Sequence, residues 1–524
     1  MRRILSTAVR PHALRVCTAA LSALIPGLAA FAQYGPIDPF DSATAALRQS
    51  LFQANDGQQH AAMIALRELR DPQVRPLLEA LLRGEDLSLR VDSVLGLAAI
   101  DPARKVDPTL IESLPRAADR ETAVAAAIAL EFADLNRIEQ MLAWPGLDPS
   151  LRLLMACEQR RLGGEPDRAE LLQWTNSRSP ELAAVSLALL LDIGAPEASE
   201  AEARVRTMIA ELPPKLRAEA VAQVAERCSI YALRGAASFV ATLVSLPDVG
   251  GDARSRALGS LLVLDAPTGY PVFAQSLDAD RSQLALMRHA AILLAAGVRA
   301  PASEWNRVRN GDQLLEAIAD AGTALAQSDD AAAAKRLTQL KHRITLNAAV
   351  EGARRLGTSF DRALGLECLA ILEENPRGLG PLLAPVMRAL SRLAIVAPEE
   401  LKLALERAQG RPELQDPMLL VLAASGSSEA ASVARAYRGR SSRLGEALIA
   451  VLVARTQDSI DVAELQTLAT VAGGAVQVDP AVRLQASWLW LRHSNRIDAA
   501  MENLVGISAQ SPVQELDADS ATER

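Results

Sequence analysis

In EDLSLRVDSVLGLAA, residues 85–99, the apolar positions Val94, Leu95, Leu97 and Ala98 recur at helical rather than strand spacing. The same order of residues returns in LDPSLRLLMACEQ (147–159) and VDPAVRLQASWLWL (478–491). Each copy reads acid, two residues, Val or Leu, Arg, and then an apolar run. Equivalent places follow at Arg90, Arg120, Arg152, Ala183, Arg217, Arg256 and Arg288, separated by 30, 32, 31, 34, 39 and 32 residues. Three positions beyond them stand Ser93, Ala123, Met155, Ser186, Ala220, Gly259 and Ala291, small in every case but Met155. A small residue at that place lets a neighbouring helix approach closely, and a recurring period of this length predicts a stack of similar two-helix units.

Helix starts are marked by Asp71-Pro72, Asp148-Pro149 and Asp479-Pro480. There the carboxylate accepts from free backbone N–H groups, while Pro fills the first helical position, which needs no donor. Stops and turns are predicted at GGEPD (163–167), GAPEAS (194–199), PDVGGD (247–252) and QGRPELQDP (409–417). The helices between them come out at about 10 to 15 residues. Composition agrees: 50% of the chain is hydrophobic but only 3% aromatic. The core must therefore be Ala, Leu and Val, and the expected class is all-α.

The Asp-Pro-x-Val-Arg-x-x-Ala form of 479–486 resembles the HEAT repeat, in particular the short HEAT-like repeats of bacteria. The resemblance implies an α-solenoid of stacked two-helix repeats. It assigns helix capping to Asp71, Asp86, Asp148, Asp252 and Asp479, and an inter-repeat ladder to Arg75, Arg90, Arg152, Arg256 and Arg483. It is clearest over residues 57–297 and 478–493. Asp is missing four residues before Arg120, Arg217 and Arg288. Residues 298–356 keep no register, so an irregular helical segment is expected there. The pattern resumes loosely through Arg362 with Gly365, Gln415 and Arg443, so that 357–509 holds further repeats and a C-terminal cap. Trp488 and Trp490 fall on opposite sides of their helix, one expected in the core and the other against the capping helix RIDAAMENLVGI. The tetratricopeptide signature is absent.

The two ends read differently. Residues 1–32 carry Arg2, Arg3, Arg10 and Arg15 without an acid, then an apolar stretch from Val16 to Leu28, then Ala30-Phe31-Ala32. That is the order of a secretory signal cut after Ala32. The alternative is an uncleaved anchor, for which the apolar run is short against the ~20 residues a span requires. Residues 33–56 read as an N-terminal extension with a first helix, and 510–524 as a disordered, solvated tail. An exported, periplasmic or secreted chain is expected.

Setting the leader aside with its four arginines takes the formal net charge from −8 to −12. Nucleic acid and anionic membrane surfaces are poor partners on that balance, and neutral or basic proteins and peptides are better ones. Cys157, Cys228 and Cys368 each lie in an apolar helical run and read as buried free thiols. His60, His289, His342 and His493 are scattered, and no zinc spacing, phosphate loop or nucleophile elbow occurs, so no metal, cofactor or catalytic residue is assigned. Adjacent acids at Asp329-Asp330, Glu373-Glu374 and Glu399-Glu400 point about 100° apart on a helix and read as solvated faces. The expected function is a non-enzymatic protein-interaction scaffold of the cell envelope. The alternative is an enzyme or enzyme accessory, since some HEAT-like bacterial proteins are lyases that attach bilins to phycobiliproteins.

Overall fold

The computed structural model describes residues 38–508, except 84–86, 101–105, 107, 113 and 115–116. The leader expected over 1–32, the tail over 510–524 and the cap residue Asp86 lie outside the described residues. Every regular element among the described residues is helical. None of these helices alone is long and apolar enough to cross a membrane.

Packing divides the chain into an inserted unit, 134–445, and a terminal unit that joins 38–133 to 446–508. The first stretch of the terminal unit supplies α1 (Pro39–Phe52), α2 (Asp56–Leu69), α3 (Arg75–Arg83), α4 (Leu87–Ile100), α5 (Pro108–Glu112) and α6 (Ala117–Ala129). The inserted unit begins with α7 (Leu135–Leu142), α8 (Pro149–Arg161), α9 (Arg168–Trp174), α10 (Pro180–Asp192), α11 (Ala198–Ala210), α12 (Pro214–Ile230) and α13 (Ala237–Val244). It continues with α14 (Gly251–Leu264), α15 (Ala266–Ala279), α16 (Gln283–Ala296), α17 (Ala302–Arg307), α18 (Gln313–Ala326) and α19 (Asp330–Gln339). Then come α20 (Arg343–Leu356), α21 (Thr358–Glu374), α22 (Leu383–Val396), α23 (Pro398–Arg407), α24 (Pro412–Ser425) and α25 (Ser428–Arg435). The chain returns through α26 (Arg443–Thr456) to α27 (Val462–Ala472), α28 (Pro480–His493) and α29 (Ile497–Ser508).

In the terminal unit the last helices pack against the first. Helix α28 is buried at every residue from Leu484 to Leu491, so it has no polar stripe and must lie among other helices. Its neighbours are α27, α1 and α2, while α29 rests on α1 and α3. One apolar core runs through Leu47, Leu51, Leu66, Leu77, Leu484, Trp488 and Leu504. Each buried Leu contributes about 1.5–3 kcal/mol relative to exposure. Both Trp488 and Trp490 are buried. Polar contacts fix the register: Gln485 Nε2 donates to the Ala65 carbonyl at 3.1 Å, and the Arg496 guanidinium sits 4.4 Å over the Phe40 ring.

In the inserted unit α8, α10, α12, α14 and α16 pack one on the next, and α13, α15 and α17 form a second row against them. The stretch without sequence register, 298–356, holds α17 to α20. Its packing explains the lost pattern, because α16 lies directly against α20. A Cβ at Gly352 would stand 1.9 Å from the Leu294 carbonyl oxygen, so only glycine admits this backbone approach. Arg299 then ties three helix ends, donating to the Leu325 carbonyl, the Asp330 carboxylate and the Leu356 carbonyl at 2.9 to 3.1 Å. The turn expected over 409–417 is shorter than its sequence suggests. Pro412 opens α24, and Asp416 and Pro417 lie inside that helix.

Candidate functional site

The repeat arginines have a common geometry that depends on helix position. Arg152, Arg217 and Arg483 are each the fourth residue of their helix, counted from Pro149, Pro214 and Pro480. From there Arg152 donates to the carbonyl of Leu142, the last residue of α7, at 3.1 Å, and Arg483 to that of Ala472, the last residue of α27, also at 3.1 Å. Arg217 reaches the Leu212 carbonyl just beyond α11 at 2.9 Å and the Pro247 carbonyl at 2.8 Å. The last carbonyls of a helix have no partner within it and carry its negative dipole end, so a guanidinium from the following helix satisfies both needs.

In α14 the fourth residue is Arg254, which donates to the carbonyl of Val244, the last residue of α13, at 3.4 Å. Arg256, singled out by the sequence pattern, has a different contact. It forks between Glu226 (2.7 and 3.0 Å) and Glu219 (3.1 and 3.4 Å), both on the neighbouring α12. The two hydrogen-bonded carboxylates raise its pKa. Arg152 also holds Glu170 of α9 through two bonds of 2.6 and 3.1 Å. Arg90 is part-buried on α4. Arg75 is half-exposed and pairs at 4.0 Å with Glu79 of its own helix. At Gln415, fourth in α24, neither amide atom meets a partner among the described residues, although the side chain is fully buried.

Of the caps, Asp148 accepts from the Ser150 N–H and Asp479 from the Ala481 N–H, each at 2.8 Å. Asp71 is itself buried and accepts from the Gln73 N–H at 3.0 Å, where a 3-10 turn opens at Pro72. Asp252 does not cap. The N-cap of α14 is Gly250, and Asp252 falls inside the first turn, because the chain swings through Gly251 at φ +64° and starts the helix early.

The remaining candidates do not converge. Cys157, Cys228 and Cys368 are free and buried. Burial pushes the thiols of Cys157 and Cys368 up to about 12 and that of Cys228 up as well, which keeps them protonated and unreactive. His289 is buried, its Nδ1 2.7 Å from the Ala285 carbonyl and its Nε2 3.1 Å from the Ser276 hydroxyl. His60 Nδ1 lies 2.7 Å from buried Asp92, and His342 Nδ1 lies 2.9 Å from the Thr345 hydroxyl. The adjacent acids have separate partners: Glu373 with Arg407, Glu374 with Lys341, Glu399 with Lys402 and Glu400 with Arg362. Asp330 departs from the solvated-face expectation, being buried against Arg299. Among the described residues no group of three or more His, Cys, Asp or Glu is placed to hold a metal ion.

The terminal unit contains a polar cleft that the sequence did not suggest. It has a volume of about 390 Å³ and is lined by Gln73, the loop 458–461, Val462 and Leu465 of α27, Arg492 and His493 at the end of α28, and Asn495 just beyond it. Its size is within the range of ligand sites. No family model, curated protein or solved structure matches this chain.

Proposed function

We propose that the protein is a non-enzymatic interaction scaffold of the cell envelope. In this reading it is exported by its leader, built as an α-solenoid of HEAT-like two-helix repeats, and binds a protein or peptide along the row of arginine-bearing helices. One observation carries it. Leu216, Leu284 and Ile344 stand 54%, 62% and 53% exposed near the starts of α12, α16 and α20. These helices belong to one packed series, with α14 between α12 and α16 and with α20 directly against α16. Large apolar side chains held in water at matching helix ends favour a protein contact. Arg217, Arg254 and Arg256 of the same row are engaged in holding helices together, which supports a framework role for them.

The test combines capture with clustered changes. The full chain with a photo-crosslinking residue at Leu284 should trap a defined set of envelope proteins. The triple variant Leu216→Glu, Leu284→Glu, Ile344→Glu should lose that set while keeping its helicity and melting temperature. Single changes should matter little, since binding energy concentrates in a few buried contacts. An unchanged set from the triple variant refutes the reading.

A further inference from the structure

We propose that the cleft at the end of α28 captures the free C-terminal carboxylate of a peptide whose last side chain is apolar. The anchor is Arg492. Its guanidinium lies between two carboxylates, 3.8 Å from Asp71 and 3.9 Å from Asp458, neither at hydrogen-bonding distance. Asp71 is already committed, one oxygen to the Gln73 N–H and the other to the Trp488 indole. Asp458 is fully exposed, and exposed ion pairs of this kind hold weakly. Arg492 therefore lines the cleft with a fork of donors that, among the described residues, faces these two carboxylates without a hydrogen bond to either. A planar carboxylate matches that fork in a bidentate manner.

The rest of the lining fits the same ligand. Gln73, Ser459 and Asn495 offer amide and hydroxyl groups at the rim. His493 is fixed, since its Nε2 lies 2.9 Å from the Ala454 carbonyl and must donate to it. Val462 is 82% exposed, the most exposed large apolar residue among those described, and forms an apolar wall with Ile460 and Leu465. A last residue such as Leu would cover that wall while its carboxylate met Arg492. The acids argue for a cation instead, but Asp461 is taken up by the cap of α27, accepting from the Ala463 and Glu464 N–H groups. Asp458 is then a competitor that the ligand carboxylate displaces.

The proposal goes beyond the protein-binding reading by adding a second contact, in the terminal unit, that recognises a chain terminus. The experiment uses the full chain with labelled Ile, Leu and Val methyl groups, following Ile460, Val462 and Leu465. The probes are N-acetyl-Ala-Leu with a free carboxylate, the same dipeptide as its C-terminal amide, and N-acetyl-Ala-Glu amide. Saturable shifts are expected with the free acid alone. Arg492→Gln should weaken binding at least about tenfold, and Asp458→Asn should tighten it about two- to fivefold. Asp458 is fully exposed, so its variant keeps the test decisive even where Arg492→Gln fails to fold. Equal shifts with either amide, weaker binding by Asp458→Asn, or no saturable shift overturns the proposal. Such a failure, beside continued loss of capture by the triple variant above, removes the cleft and leaves the scaffold reading standing.

Discussion

The indole N–H of Trp488 donates to Asp71 Oδ2 at 2.8 Å, across 417 positions of chain. Both groups are buried, and the same carboxylate caps the 3-10 turn that follows α2. One acid thus fixes a turn near the chain's start and a helix near its end.

Trp488→Phe keeps an aromatic ring but removes the N–H donor and leaves a cavity where the larger indole stood. A buried hydrogen bond to a charged acceptor is worth about 1.5–3 kcal/mol and the cavity adds to that, so denaturant unfolding followed by circular dichroism should show a loss of at least that order. An unchanged midpoint would mean that the bond contributes nothing net.

Arginines that look alike in sequence should separate in stability. Arg152→Met breaks the bonds to Glu170 and to the Leu142 carbonyl, at a cost of about 1–3 kcal/mol. Arg75→Met breaks one exposed pair and should stay within about 0.5 kcal/mol of the parent. Equal losses in the two melting curves would contradict the geometric distinction.

Gln415→Met replaces a fully buried amide that has no partner among the described residues with an apolar chain of similar length. Removing an unsatisfied buried polar group should stabilise by about 1–3 kcal/mol, read as a higher melting temperature. A lower one would show that the amide has a role in the core.

Acid should weaken the fold partly through His289. Burial lowers its pKa from 6.5 in the folded chain, against a smaller opposing effect of the Ala285 carbonyl. Well above pH 6.5 the ring is neutral in both states and contributes no pH dependence. Below it the unfolded chain takes the proton first, so stability declines until the folded ring also titrates. Between about pH 7.5 and about pH 5 the melting temperature of the parent should fall more than that of His289→Gln. Parallel curves would assign the acid sensitivity elsewhere.

Local features were legible because they depend on local chemistry. Asp-Pro marks the starts of α8 and α28, and the arginine three residues after Pro is readable directly. Its partner was not readable, because a backbone carbonyl has no sequence identity. At α14 the Gly250-Gly251 start lacks the Asp-Pro marker, so the sequence period points to Arg256 where Arg254 makes the carbonyl contact. Gly352 gave no sign of close packing, since an approach to Leu294 depends on a distant helix. Asp416-Pro417 imitates a start signal inside α24. The cleft combines Gln73 with residues from 458 to 495, and nothing local announces that meeting.

The discontinuity of the terminal unit sets an order of events during synthesis. Leu47, Leu51 and Leu66 leave the ribosome early, but Leu484 and Trp488, which share their core, follow some 400 residues later. At about 5–20 residues per second that interval is about 20–80 s. Helices of the inserted unit find sequence-local partners within it, and α2 can pack on α4, whereas α1 packs mainly on α28 and must wait with that apolar face uncovered. Closing so long a loop makes the docking of α1 with α28 the slow, aggregation-exposed step. Refolding of the full chain should therefore end with the burial of Trp488, and holdase chaperones should engage the nascent chain through α1.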